Sequence, residues 1–234
     1  MSEPVDVVRR ESSVLRISMR TAGIMLAFTL VFTAMMAGTY RATAPLVAAS
    51  ALAEKLRLIG EVLPQAAYDN NLLADAVTLP PSQTLGLDED TRLWRARKDG
   101  APTALVFEAA APNGYSGRIG LILAVGTDGK LIAVRVTAHK ETPGLGDYID
   151  PKKDRNKARP WITQFSQLGF DSVPSEKWRV KKDGGRFDQM SGATISARAV
   201  TNASGRALTW AIQHKDSLFA LPSDTRFEEQ GGKP

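Results

Sequence analysis

Residues Thr21 to Tyr40, TAGIMLAFTLVFTAMMAGTY, form an uncharged stretch bounded by Arg20 and Arg41. As a helix rising about 1.5 Å per residue, it reaches about 30 Å, the hydrocarbon thickness of a bilayer. The competing reading is a signal peptide removed after export. Signal-peptide apolar cores run about 7–15 residues, and the cleavage-like run Ala42-Thr43-Ala44 is followed directly by Pro45. An uncleaved anchor is therefore the expectation. Arg9, Arg10, Arg16 and Arg20 precede the span, while Arg41, Lys55 and Arg57 follow it. This small excess of positive charge, with a short N-terminal tail, points to a cytoplasmic N-terminus and a large domain outside the cytoplasm.

The remainder has the composition of a folded protein, the whole chain being 43% hydrophobic and 24% charged. Its isoelectric point is near 9.5. The basic residues are read as scattered, without a Lys/Arg run interleaved with aromatics, so nucleic acid is not an expected partner. The absence of cysteine removes disulfides, thiol catalysis, Cys-ligated zinc and iron–sulfur clusters together. His139 and His214 lack any metal-ligand spacing, and no metal site is expected. Any redox chemistry needs an organic cofactor.

Beyond the span, Leu52, Leu56, Ile59 and Leu63 recur at helical spacing up to Pro64, predicting an amphipathic helix. Residues 69–90, with Pro80-Pro81, read as irregular connection. TALVFEAAA (103–111) is a candidate strand. GRIGLILAVGTDGKLIAVRVTAHK (117–140) gives two more, joined by a turn at Asp128-Gly129. ETPGLGDYIDPKK (141–153) is a loop, residues 159–170 a short helix, and residues 177–193 a strand, turn and loop. A last helix from Ala193 to Leu218 sets Ile195, Ala199, Ala203, Leu208 and Ile212 near one face. The expected fold class is α+β, a single transmembrane helix followed by an antiparallel sheet packed by helices. The expected segments are a cytoplasmic tail (1–20), the span (21–40), a juxtamembrane helix and connection (41–90), a domain (91–220) and a flexible tail (221–234).

The segment DQMSGATIS (188–196) stands where that last helix begins. Ser191 is the expected N-cap, with Gly192 allowing a tight entry. One reading stops there, at a capped helix. In the other, the free N–H groups and partial positive charge of the helix start hold a phosphate, and the small residues Gly192 and Ala193 let the backbone approach it. A threonine hydroxyl at this place can be esterified to that phosphate. Asp188 either orders the loop or helps to bind a metal for the attachment step.

SGATIS preceded by DQM resembles the flavin-attachment signature S/T-G-A-T/S-x-S/T of the FMN-binding domain family. The resemblance implies FMN bound covalently, its phosphate in a phosphoester with Thr194, made from FAD by a flavin transferase. Ser191, Gly192 and Ala193 then shape the approach. HKETPGLG (139–146) resembles the family's loop beside the flavin ring. It implies ring contacts from Thr142, Gly144 and Leu145, and polar contacts from Glu141 to ring or ribityl oxygens. Gly146 lets the backbone come close.

With the single N-terminal span, the chain is similar to the G-subunit family of Rnf (Rsx) electron transport complexes. That implies an electron carrier without catalytic residues or a substrate pocket of its own. Its partners are then the other subunits, which link ferredoxin and NAD(H) electron transfer to ion movement. Membrane lipid surrounds residues 21–40 in a bacterial inner membrane, and the domain lies on the periplasmic side. Two alternatives stay open: the homologous C-type component of sodium-translocating NADH:quinone reductase, and a membrane-tethered binding or sensor module whose SGAT segment only caps a helix. GYSGR (114–118) falls short of a hydrolase G-x-S-x-G. The Asn202-Ala203-Ser204 sequon lies in the terminal helix, and Trp94, Trp161, Trp178 and Trp210 are read as packing residues.

Overall fold

The computed structural model describes residues 5–228. Residues 1–4 of the expected N-terminal tail and 229–234 of the expected C-terminal tail lie outside the described residues, as do the side chains of Arg9, Arg10, Leu52 and Lys55. The chain divides into two units, residues 1–55 and 56–234.

The span and the helix expected after it are not separate elements. Both belong to one helix, α1, Val5–Val62. Pro45 lies inside it and cannot donate to the Arg41 carbonyl. Ala42, Ala44, Ala48 and Ala49, strong helix formers, carry the helix across that gap. Leu15–Ser50 is long and apolar enough to cross a membrane, and it contains the uncharged stretch 21–40. The Thr29, Thr39 and Thr43 hydroxyls each donate to the carbonyl four residues earlier, at 2.9 Å. These bonds satisfy polar groups that hydrocarbon would leave without partners.

In the second unit six strands form one antiparallel sheet in chain order. They are β1 (Ala76–Leu79), β2 (Thr91–Lys98), β3 (Ala101–Gly114), β4 (Gly117–Gly126), β5 (Lys130–Ala138) and β6 (Leu168–Gly169). The β4–β5 hairpin turns at Asp128-Gly129 as expected, with Gly129 at φ +78°. Three strands were not expected, β1, β2 and β6. β1 lies within the stretch read as irregular, and β2 precedes the first strand read from the sequence. β2 and β3 join at Asp99-Gly100, both at positive φ, the geometry a two-residue hairpin favours. The outer edge of β1 is covered by the chain's end: Thr78 N–H donates to the Thr225 carbonyl at 2.9 Å, and the Thr78 carbonyl accepts Phe227 N–H at 2.8 Å. Such cover protects an edge strand from pairing with another molecule.

Both faces of the sheet are buried. Leu93, Leu105, Phe107 and Leu121 point to one side, where α2 (Thr194–Ala220) packs. Trp94, Ala96, Val106 and Ile122 point to the other, against Ile59, Val62 and Leu63. Residues 159–170 form a 3-10 turn (Trp161–Phe165) and β6 in place of the expected helix. The strand expected within 177–193 reduces to one bridge, Val180 to Phe187, because 3-10 turns and the Gly184-Gly185 bend fold the segment on itself. On α2, Ala199, Ala203 and Leu208 are buried as expected. Ile195, ahead of the packed face, is 43% exposed.

Candidate functional site

The loop leaving β5 is organised by two backbone bonds. The Thr142 carbonyl accepts the N–H groups of Leu145 (3.1 Å) and Gly146 (3.0 Å). Gly144 sits in this turn at φ +73°, a conformation that glycine adopts without steric cost. Thr142, Gly144 and Leu145 are exposed, whereas Gly146 is buried beneath them. A Cβ on Gly146 would lie 2.7 Å from Ser196 Oγ and 3.0 Å from Glu141 Oε2, so α2 and this loop meet at a backbone with no side chain.

Glu141 is turned inward and only 3% exposed. Its carboxylate accepts the Ser116 N–H at 3.0 Å and the Ser196 hydroxyl. These bonds stabilise a buried anion that would otherwise be costly, and they commit the carboxylate to the protein.

Ser191 does not cap α2. It is exposed, Gly192 follows at φ +85°, and Ala193 takes the N-cap position. The left-handed turn at Gly192 carries the chain past Ser191 before helical geometry begins. No side chain caps this end, and no acidic residue occupies the first turn. A missing cap costs about 1 kcal/mol, whereas burying one side chain such as Val200 or Leu208 contributes about 1.5–3 kcal/mol. Packing against the sheet therefore holds the helix while its N-terminus stays open. Thr194, the first helical residue, is half-buried, and its hydroxyl has no hydrogen-bond partner among the described residues.

The segment before the helix is pinned from behind. Tyr148 hydroxyl accepts Met190 N–H at 3.1 Å and donates to the Ala193 carbonyl at 3.4 Å. Burial raises the Tyr148 phenol above its usual pKa, with the Asp154 charge adding to the effect against the Met190 bond. It thus stays protonated and able to donate. Asp188 N–H donates to Gln164 Oε1 (2.7 Å), its carbonyl accepts Trp161 Nε1 (2.6 Å), and its carboxylate pairs with Lys181 (2.5 Å). Among the described residues no group of three or more His, Asp or Glu could hold a metal.

The two segments meet across a cavity of about 100 Å³. Of the residues picked out in the sequence, Glu141, Thr142, Leu145, Gly146, Gly192 and Ala193 line it; Ser191, Gly144 and Thr194 do not. Tyr115, Ile195 and Ser196 complete the lining. Ser196 is the last position of the S-G-A-T-x-S pattern, a signal already in the sequence. Tyr115 was read only as part of a failed hydrolase motif, and no pattern linked the β3–β4 turn to this place. Tyr115, Ile195 and Leu145 are 65%, 43% and 41% exposed. Enclosing pockets for ligands of drug size span about 300–1,000 Å³, so this cavity cannot enclose FMN. The residues fit FMN lying at the surface, with apolar side chains beside an uncapped helix start.

Residues 114–209 match the FMN-binding domain family, and residues 13–62 match the RnfG N-terminal region. The fold and the family match are those of an FMN-binding domain. The chain is 38% identical over 207 residues to the G subunit of the ion-translocating oxidoreductase complex of Vibrio cholerae serotype O1, covering 88% of this chain and 96% of that one. It is 37% identical to the G subunit of Shewanella baltica over 201 residues (86% and 92%). It is 36% identical to that of Pseudoalteromonas atlantica over 203 residues (87% and 92%). The chain belongs to the G-subunit family of ion-translocating oxidoreductase complexes. Of the two complexes the sequence left open, these relatives belong to the first.

Proposed function

We propose that the chain is the electron-carrying flavoprotein subunit of a membrane-bound Rnf-type complex, with FMN joined to Thr194 through a phosphoester. The carrying observation is the unpartnered Thr194 hydroxyl at the open start of α2, beside a cavity rimmed by Leu145, Ile195 and Tyr115. Bound FMN supplies one- and two-electron redox chemistry. The chain's own residues position it. The open N-terminus of α2 favours the phosphate by its N–H groups and partial charge, Gly192 lets the backbone approach, and the three apolar side chains flank the ring.

Attachment forms one bond and breaks one. Thr194 Oγ displaces AMP from the FMN-side phosphorus of FAD, the pyrophosphate linkage breaks, and the hydroxyl proton is lost. A separate flavin transferase performs this step. Asp188 contributes by ordering the loop through its backbone bonds to Gln164 and Trp161. A covalent bond suits a domain on the periplasmic side of a bacterial inner membrane, where lost FMN is not readily replaced. The apolar part of α1, in lipid, keeps the flavin near the other subunits and raises its effective concentration there. Through those subunits its electron transfer serves the coupling of ferredoxin and NAD(H) redox to ion translocation.

Co-expression with a flavin transferase tests the assignment. Flavin fluorescence should stay with the denatured wild-type chain and vanish in Thr194→Val, which keeps the shape and removes the hydroxyl. Equal fluorescence in the variant would place the bond elsewhere.

A further inference from the structure

Behind the flavin loop lies a second feature that the flavin site does not use. Residues 152–159, KKDRNKAR, hold five cations in eight positions, Lys152, Lys153, Arg155, Lys157 and Arg159, and all five are exposed. The sequence reading of scattered basic residues passed over this run. Several cations elsewhere on the domain surface are matched with acids, Arg92 with Asp224, Arg118 with Asp88, Arg198 with Asp183 and Arg226 with Asp90. Among the described residues none of the five in this loop forms an ion pair. The one acid in the run, Asp154, is 5% exposed and turned inward, where it accepts the N–H groups of Asn156 (2.9 Å) and Trp161 (2.6 Å).

The loop is also pre-shaped. Asp150 accepts Lys152 N–H at 2.9 Å, Asn156 accepts Arg159 N–H at 3.1 Å, and Lys157 Nζ donates to the Lys152 carbonyl at 2.7 Å. Arg159 and Asn156 stand at one side of a cavity of about 390 Å³, lined also by Trp161, Gln164 and two carboxylates that are already engaged, Asp154 by backbone N–H groups and Asp188 by Lys181. Gln164 Oε1 receives Asp188 N–H, but its Nε2 is buried without a hydrogen-bond partner. A buried unpaired amide donor is unusual and costly. Gln164 lines the cavity beside Arg159, the one loop cation that reaches it, and the unpaired guanidinium and the amide donor behind it both favour an acceptor of negative charge.

We infer that this loop and cavity form a docking surface for an acidic segment of a partner protein, with a carboxylate entering beside Arg159 and Gln164. A carboxylate supplies what the site lacks, since its oxygens accept from a guanidinium and an amide together. Mutual repulsion among five neighbouring cations is relieved by such a partner, which also gains in association rate. A lipid surface fits less well: the site is concave, and no large apolar side chain is exposed between Gly146 and Thr194 to enter a bilayer. Tyr148 lines this cavity and holds Met190 and Ala193 of the helix-start segment, so a partner docked here sits against the back of the flavin site. The electron-transfer consequence rests on the proposed function; the binding itself does not.

The test uses the full chain in nanodiscs of phosphatidylcholine, with and without flavin, and a fluorescent ten-residue glutamate peptide as probe. Anisotropy should report saturable binding that weakens with salt, as partly exposed charge pairs do, and that is the same in both flavin states. The Lys152→Gln/Arg155→Gln/Arg159→Gln variant should weaken it by at least about tenfold, the loss of charge-assisted contacts. A control with the same charge change elsewhere, Arg92→Gln/Arg118→Gln/Arg226→Gln, should weaken it by less than about threefold. Gln164→Leu, with the cations intact, should weaken it by several-fold. Equal weakening in the two triple variants, no effect of Gln164→Leu, no peptide binding at all, or preference for phosphatidylglycerol vesicles over the peptide would each overturn the inference.

Discussion

The Ser196 hydroxyl donates to the Glu141 carboxylate inside the wall between the two segments of the flavin site. Ser196 stands in the first turn of α2 and Glu141 opens the loop after β5, so one bond ties together segments 55 positions apart. Ser196→Ala leaves that carboxylate buried with the Ser116 N–H as its remaining partner. The expected cost is about 1–3 kcal/mol. In a thermal melt this reads as about 2–4 °C per kcal/mol for a unit of this size. An unchanged melting temperature would show that the pair contributes nothing to the fold.

Gly146 lies directly against this pair, and its substitution separates crowding from backbone strain. Gly146→Ala puts a Cβ 2.7 Å from Ser196 Oγ, which should destabilise by about 1–3 kcal/mol. Removing that oxygen relieves the nearest clash, so Gly146→Ala/Ser196→Ala should cost less than the sum of the single variants, by an interaction term of about 0.5 kcal/mol or more. Additive melting data would contradict this geometry.

Gly144 and Gly192 make a contrasting pair. A Cβ on Gly144 meets nothing within 4 Å, and one on Gly192 meets Leu145 Cδ1 at 3.6 Å, an ordinary contact. The cost of Gly→Ala at either place therefore comes from positive φ alone, about 1–2 kcal/mol. Asn tolerates this conformation better than Ala, so Gly144→Asn should melt above Gly144→Ala. The reverse order would show that something other than φ selects glycine in the loop.

Acid should release a different contact. Asp75 bonds to Arg95 Nε at 2.7 Å and Arg97 Nε at 2.8 Å, and Arg95 is 2% exposed. Burial alone would raise the Asp75 carboxyl, but the bonds from Arg97 and Arg95, with their charge, outweigh it and hold the carboxyl below its usual pKa. The unfolded chain, with an aspartate pKa of about 3.9, then takes up this proton first as pH falls. The stabilisation is complete above about pH 4 and lost below it, as pH falls through the depressed folded value. Asp75→Asn should be less stable at pH 7 and show a flatter loss of stability as pH falls below about 4; an equal slope would remove Asp75 from acid unfolding.

Features with local causes were legible in the sequence. The span was set by charge and length, and the β4–β5 hairpin by Asp128-Gly129. Asp99-Gly100 carries the same turn signal, but β2, TRLWRARK, hides its strand character. Arg95 is buried by a carboxylate twenty residues away, and Trp94 and Ala96 are buried on the opposite face, so hydrophobic alternation is lost. β1 has four residues and depends on β2 and the chain's end for its pairing. Of the site, the two glycine-bearing segments were legible. The helix start at Ala193 was legible too, but not its capping, because the left-handed turn at Gly192 moves the N-cap position from Ser191 to Ala193. Tyr115 reaches the site through the β3–β4 turn, a tertiary relationship that no local pattern carries.

Thr194 is the centre of the functional reading, and peptide mass spectrometry of the full chain matured with a flavin transferase tests it most directly. The proteolytic peptide containing Thr194 should carry the added mass of one FMN less one water, with fragment ions assigning it to Thr194 and not to Ser191 or Ser196. An unmodified Thr194 peptide from protein that retains flavin, or the adduct on another residue, would contradict the assignment.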